Sequence, residues 1–102
     1  MEKETQKQCT DYLRYTGWFV IENWRNTGYV AGIADITAIK KGRVVWIEFK
    51  RKKEKYVKAG KQSKWQIDFM NNLKTHGGEY IVIRELDELT DYLKIDMQCT
   101  LL

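Results

Sequence analysis

The 102-residue sequence has no proline, one histidine and only two cysteines, Cys9 and Cys99. Without proline, its turns depend on seven glycines together with Asn and Asp. Two isolated thiols make neither a disulfide framework nor a zinc site, and a reducing compartment suits them best. The single histidine, His76, falls at a predicted helix end and does not support a Ser-His-Asp or Cys-His catalytic set.

Long hydrophobic runs are also missing. No stretch approaches the roughly 20 apolar residues of a membrane-spanning helix. The charged segment from Met1 to Thr5 lacks the apolar part of a signal peptide. We therefore expect no membrane association and a cytoplasmic location. The composition, with 43% hydrophobic and 13% aromatic residues, suits one core, and we treat residues 1–102 as a single domain.

Positive charge is concentrated in the middle of the chain. The segment from Lys40 to Lys64 contains eleven Lys or Arg and two Glu, a net charge of +9, whereas the remainder, with seven basic and twelve acidic residues, carries −5. A solvated lysine-rich loop produces such a pattern, and so does a surface that faces a polyanion. The first four basic residues after Lys50, at 51, 52, 53 and 55, are placed to contact nucleic-acid phosphates.

Hydrophobic periodicity and turn residues predict the order α-β-β-β-α-β-α. The predicted elements are a helix over Glu2–Tyr15, strands over Trp18–Trp24, Asp35–Lys40 and Arg43–Phe49, a helix from Ser63 to about Thr75, a strand over Tyr80–Ile83 and a helix over Asp87–Leu93. Lys41-Gly42 predicts a hairpin turn. The first three strands therefore form an antiparallel meander, and the fourth, after a crossover helix, pairs in parallel.

Three finer predictions concern the second half of the chain. The fourth strand is fully apolar and is expected in the interior of the sheet. Ser63 and Gln66 form a capping-box pattern at the start of the second helix, and Trp65 is assigned to the core because it is spaced by four from Phe69. The segment Met97–Leu102 is an apolar tail without an obvious partner.

Two acids and a lysine are expected to meet at one edge of the sheet. Asp35 opens the second strand and Glu48 lies near the end of the third, so the antiparallel pairing brings them side by side. Lys50 is two residues from Glu48 and shares its face. A pair of carboxylates suits Mg²⁺ or Mn²⁺ better than zinc.

A structural interpretation competes with the metal site. Strand ends often carry Asp, and a Glu-x-Lys pair is commonly a surface ion pair worth ~0–1 kcal/mol. However, Glu48 lies within the most apolar run of the chain, Val44–Phe49. A buried lone carboxylate is costly unless a cation or hydrogen bonds compensate it, which favours the metal site.

The order and spacing of these residues resemble the VRR-NUC nucleases, which belong to the PD-(D/E)XK, or restriction-endonuclease-like, superfamily. The matching segments are Arg25-Asn26-Thr27-Gly28, Gly32-Ile33-Ala34-Asp35, Glu48-Phe49-Lys50, Gln66 with its helix up to Gly77-Gly78, and Glu2 and Gln6 of the first helix. The resemblance extends from about Glu2 to Arg84. The family usually has proline at the position of Ala34, a difference that affects loop rigidity more than chemistry.

The resemblance implies a role for each matching residue. Asp35 and Glu48 would be metal ligands, with the carbonyl of Phe49 as a third oxygen. Lys50 would be the catalytic lysine. Gln66 would either support the site or contact the scissile strand. Glu2 would reach the metal, directly or through water, and Glu4 is the alternative for that role. The implied nucleic-acid contacts are Arg25 and Asn26, to which the basic run adds Arg51, Lys52 and Lys53.

The resulting expectation is an α/β restriction-endonuclease-like domain, with a mixed four-stranded sheet flanked by helices and a short C-terminal helix. It would be a Mg²⁺- or Mn²⁺-dependent DNA endonuclease. The small stand-alone members that it resembles are phage-encoded, which implies action in a bacterial cytoplasm as homodimers on branched DNA, including four-way (Holliday) junctions. A homodimer also suits symmetric cleavage of a junction, because such cleavage needs two active sites related by a twofold axis.

Two alternatives remain open. The first is a non-catalytic nucleic-acid-binding module with the same fold, and the second is an accessory subunit of a phage replication complex. Tyr29 and Tyr56 are placed either to stack on unpaired bases or to cover the core.

Overall fold

The computed structural model describes residues 2–23, 32–51 and 63–101, apart from the side chains of residue 2 and of residues 95–101. The elements are α1 (Glu2–Tyr15), β1 (Phe19–Glu22), β2 (Ile36–Lys40), β3 (Arg43–Phe49), α2 (Lys64–Thr75), β4 (Glu79–Ile83) and α3 (Leu86–Leu101). The predicted order of elements is confirmed. No helix within these ranges is both long enough and apolar enough to cross a membrane.

The four strands form one mixed sheet in the order β1-β2-β3-β4. β1, β2 and β3 are antiparallel neighbours, and β4 pairs in parallel with β3 after the α2 crossover, as predicted. The turn between β2 and β3 has positive φ angles at both central residues, 50° at Lys41 and 84° at Gly42. This backbone conformation is that of a type I′ hairpin turn, whose twist matches the strands it joins.

The prediction that the fourth strand lies in the interior of the sheet is wrong, because β4 is an edge strand among the strands described. Its apolar sequence has another cause. α2 packs against β4 on one face of the sheet and α3 packs against it on the other, so both sets of alternating side chains meet a helix. Cover by helices on both faces, rather than strands on both sides, explains the apolar run.

The main core lies between the sheet and the pair of helices α1 and α3. Its buried members are Cys9, Leu13, Trp18, Val20, Ile36, Ala38, Val45, Ile47, Phe49, Ile83, Leu89 and Leu93. Alternate residues of β3 face this core, and the residues between them face α2. Trp46 belongs to the second set, since its ring packs edge-on against Phe69 of α2 at 5.5 Å between centroids. Glu48 and Lys50 therefore point toward the α2 side.

Two predicted boundaries need correction. α3 begins at Leu86 and continues to Leu101, so the backbone of the predicted apolar tail is helical as far as Leu101. β1 is shorter than predicted and covers four residues. Its pairing nevertheless continues one step further, because the amide of Asn23 donates to the carbonyl of Asp35 at 2.9 Å.

An ion pair joins the starts of β3 and β4, at the end of the sheet opposite Glu48. Arg43 Nε donates to Glu79 Oε1 at 3.0 Å, and the Tyr92 hydroxyl of α3 donates to Glu79 Oε2. The hydrogen bond from Arg43 lowers the pKa of Glu79. Burial, followed by the hydrogen bond to Glu79, raises the pKa of Tyr92 to about 12. This cluster ties α3 to the sheet.

Candidate active site

The first pair of predicted site residues, Asp35 and Glu48, lies side by side. In the β2–β3 ladder Ile36 is opposite Ile47, and one further step of the same register places Asp35 opposite Glu48. Directly opposite residues of an antiparallel pair have their Cβ atoms about 5 Å apart. The main chain of β3 also fixes the aspartate, because the Phe49 amide donates to Asp35 Oδ2 at 2.8 Å.

Glu48 is a fully buried carboxylate, with 0% of its surface exposed. Glu48 takes part in at least one polar or electrostatic interaction. Its Oε2 atom, considered alone, accepts no hydrogen bond from the described residues. Burial of a carboxylate in a small domain is costly and requires compensation by cations or hydrogen-bond donors. The position of Glu48 is therefore unusual for a residue that only stabilises the fold.

Lys50 and Gln66 meet on the α2 side of the sheet. The Lys50 Nζ donates to Gln66 Oε1 at 2.7 Å, and both side chains are buried. The β3–β4 ladder extends to this lysine, whose amide donates to the Ile83 carbonyl at 3.0 Å. The backbone and the ammonium group of Lys50 are both held, so its charge has a fixed location.

The same glutamine forms the predicted capping box of α2. The side-chain Oε1 of Gln66 accepts from the backbone amide of Ser63 at 2.9 Å, and the backbone amide of Gln66 donates to Ser63 Oγ at 3.2 Å. Its side-chain oxygen thus serves the helix cap and Lys50 together. This arrangement explains why a polar residue occupies the buried face of α2, at a position where an apolar residue is usual.

The sequence did not predict that Gly32 packs closely against the backbone at the start of α2. A Cβ atom on Gly32 would lie 2.1 Å from the Trp65 carbonyl oxygen and 2.6 Å from the Gln66 amide nitrogen, and its φ angle is +75°. Only glycine fits such a contact between two backbones. The loop before Asp35 therefore packs directly on the first turn of α2, which carries Gln66.

Asn23 is a second residue that the sequence analysis missed. Its side-chain Nδ2 donates to the Ala34 carbonyl and to Thr37 Oγ1, both at 3.0 Å, and its backbone amide donates to the Asp35 carbonyl. These bonds hold the chain on both sides of Asp35. The signal in the sequence is an amide side chain directly after the apolar run Trp18–Ile21 and Glu22.

The assignment of Trp65 to the core is wrong. Its side chain is 61% exposed, while Gln66 is the buried member of that turn. Phe69, one turn further along, is half-buried and contacts Trp46 and Tyr80. The spacing by four predicted a common face, but the capping box and the contact with Lys50 rotate Gln66 inward, and Trp65 is directed outward.

The structure describes the other predicted site residues only in part. Arg25, Asn26, Tyr29, Lys52, Lys53 and Tyr56 lie outside the described residues. Glu2 lies in α1, where its side chain is not described, and Glu4, its alternative, is exposed. Arg51 is exposed directly after Lys50, as a contact to a polyanion requires. The roles of all these residues stay predictions.

The donor set around Asp35 suits a hard divalent cation. Two carboxylates at neighbouring strand ends offer oxygen ligands, which Mg²⁺ and Mn²⁺ prefer. The described ranges contain no cluster of three or more His, Cys, Asp or Glu side chains suited to a metal ion. Mg²⁺ does not need such a cluster, because it is commonly held by one or two carboxylates with waters and substrate phosphates. Asp35 and Glu48 therefore fit the cation that the resemblance implies.

The mixed sheet with helices on both faces, and with acids at neighbouring ends of β2 and β3, defines a restriction-endonuclease-like α/β fold. No protein-family model and no curated protein matches the sequence. Among solved structures, a chain described as "VRR_NUC domain" superimposes with a TM-score of 0.72 at 16% sequence identity, covering 91% of this chain and 94% of that chain. The fold implied by the sequence resemblance is therefore confirmed.

Proposed function

We propose that this protein is a divalent-metal-dependent nuclease that hydrolyses phosphodiester bonds in DNA. The observation that carries the proposal is the convergence of Asp35, fully buried Glu48 and anchored Lys50 at one end of the sheet. The fold, the adjacent Arg51 and the positive charge of the segment from Lys40 to Lys64 support the same function.

Each residue has a distinct proposed task. Asp35 and Glu48 would hold Mg²⁺ or Mn²⁺, with the Phe49 carbonyl as a further protein oxygen. When bound there, such a cation would supply charge neutralisation at the phosphate and a water molecule of lowered pKa. Lys50 donates hydrogen bonds to a non-bridging phosphate oxygen and neutralises negative charge as the phosphorus becomes pentacovalent.

Gln66 is a positioning residue for Lys50. Its oxygen faces the ammonium group at 2.7 Å and is itself held by the Ser63 amide. A fixed acceptor keeps the lysine at one place without neutralising its charge, because an amide is uncharged.

The preferred substrate in this proposal is branched DNA, cut by a homodimer. Two identical active sites related by a twofold axis match the two symmetric strands of a four-way junction. Large hydrophobic side chains that a second copy can cover are exposed at the β1 edge of the sheet. Phe19 is 65% exposed and Ile21 is 40% exposed. Sedimentation that shows only a monomer at micromolar concentration would count against the dimer.

Cleavage of a labelled four-way junction tests the proposed function. We expect nicked products with Mg²⁺ or Mn²⁺ and none with excess EDTA. Glu48→Gln and Lys50→Ala should abolish cleavage while the far-ultraviolet circular dichroism stays native. Lys74→Ala is the matched control, because Lys74 lies outside the basic segment, is exposed in the last turn of α2 and should leave cleavage unchanged.

The positive charge of the segment from Lys40 to Lys64 also supports a second candidate, a non-catalytic nucleic-acid-binding module. Such a module does not explain a fully buried carboxylate beside a second acid. DNA binding without cleavage in any divalent metal would favour the module over the nuclease.

A further inference from the structure

Trp65 combines a large exposed ring with a rigid backbone. Its side chain is 61% exposed, although tryptophan side chains generally lose most of their exposure on folding. Its main chain is confined on both sides, because Gly32 packs on its carbonyl group and the capping box of Ser63 and Gln66 encloses it. The indole is therefore carried on a fixed support.

This support stands next to the proposed active site. Trp65 directly precedes Gln66, whose oxygen contacts Lys50. Gly32, which touches the Trp65 carbonyl, is only three residues from Asp35. Three residues span at most about 10 Å, and the contact with Gly32 adds about 4 Å, so the Trp65 carbonyl lies within about 14 Å of the Asp35 backbone.

The neighbouring charges are compatible with a polyanion. Lys64 and Arg51 are exposed, and the first turn of α2 contains no acidic residue. Asp68, one turn further along the helix, is exposed and negative. A phosphate chain is thus favoured at the start of α2, beside Lys64 and Arg51, over the position of Asp68.

We propose that Trp65 is a stacking platform for an unpaired base of the nucleic-acid strand that enters the active site. The inference rests on the proposed function and adds the substrate feature that is recognised, an unstacked base beside the scissile phosphate. A flat indole stacks on any base, so recognition depends on strand structure rather than on sequence. Fully paired duplex offers no free base face to Trp65.

Binding in the inactive Glu48→Gln background tests this inference without cleavage. The probes are a short, fully paired duplex and the same duplex with a splayed oligo-dT overhang. We expect Trp65→Ala to weaken binding of the overhang substrate by about 5- to 150-fold, the effect of losing one stacked base. Binding of the paired duplex should change by less than about twofold, because phosphate contacts dominate it.

Two further variants sharpen the test. Trp65→Phe keeps an aromatic ring and should retain most of the affinity for the overhang. Tyr15→Ala is the matched control, because Tyr15 is 92% exposed at the end of α1 farthest from Asp35 and should not change binding. Quenching of indole fluorescence by the overhang should be smaller in Trp65→Phe than in the parent, because three of the four tryptophans remain.

Three results would overturn the inference. One is an equal loss of affinity for both substrates in Trp65→Ala, and another is no loss for either. The third is conversion of a dimer to a monomer by Trp65→Ala, which would make this ring part of a protein interface. Failure of the wild-type protein to bind or cut any nucleic acid would instead refute the proposed function itself.

Discussion

Replacement of Gly32 by alanine tests the contact that joins the loop before Asp35 to α2. The new Cβ would lie 2.1 Å from the Trp65 carbonyl oxygen and 2.2 Å from its carbon. These are backbone atoms of a helix, so the first turn of α2 has to move by about 1 Å, at a cost of about 1–3 kcal/mol typical of overpacking. Left-handed φ adds about 1–2 kcal/mol for alanine.

The sum for Gly32→Ala is about 3 kcal/mol, which in a chain of this size lowers the Tm by roughly 12–24 °C. Gly42→Ala is the matched control, because Gly42 has a similar φ of +84° but no atom within 4 Å of the added Cβ. It should therefore lose only the conformational part, about 1–2 kcal/mol. Differential scanning calorimetry measures both variants.

A functional difference should accompany the difference in stability. A shift of about 1 Å in a positioning residue reduces turnover by up to about 100-fold, so Gly32→Ala should lose cleavage well below its Tm. Gly42→Ala, in the hairpin at the other end of β2, should cleave normally. Equal stability and equal activity of the two variants would refute the proposed packing of Gly32 on α2.

Three further predictions follow from single contacts. Gln66→Ala and Ser63→Ala each remove part of the α2 cap, worth about 1 kcal/mol of stability. Gln66→Ala should reduce cleavage far more in single-turnover kinetics, because it alone removes the acceptor of the buried Lys50 ammonium group. Glu79→Gln should flatten the acid limb of the stability curve, because the lowered pKa contributes stability that is present above the ordinary carboxyl pKa and lost as pH falls through the lowered value; an unchanged limb in urea titrations would contradict this. Burial raises the pKa of Cys9 to about 12, so in a Cys99→Ser variant, which leaves Cys9 as the only thiol, a thiol reagent at pH 8 should react only after unfolding. Rapid reaction of the folded variant would be inconsistent with that burial.

The sequence was sufficient to predict the parts of the fold that local patterns control. Ser63 and Gln66 have the spacing of a capping box, and Lys41-Gly42 between two apolar strands predicted the hairpin turn. The turn then sets the register, and the register brings Asp35 opposite Glu48. The central pair of the candidate site was therefore predictable from one turn and two strands.

Contacts between segments distant in sequence were not predictable in the same way. The edge position of β4 depends on how the α2 crossover returns to the sheet, and both edge and interior strands are apolar when helices cover their two faces. The exposure of Trp65 follows from the pairing of Gln66 with Lys50 across 16 residues, which no helical period encodes. Gly32 carried a family motif, but its contact with α2 is visible only in three dimensions.

Thermal unfolding with and without Mn²⁺ tests most directly whether Asp35 and Glu48 share a divalent ion. A ligand at about 100 times its Kd stabilises the folded state by about 2.7 kcal/mol, which corresponds to a rise in Tm of roughly 10–20 °C for a domain of this size. We expect this rise in the wild-type protein and its loss in both Asp35→Asn and Glu48→Gln. No rise in the wild type at saturating Mn²⁺, or an equal rise in the two variants, would contradict a metal site between these carboxylates.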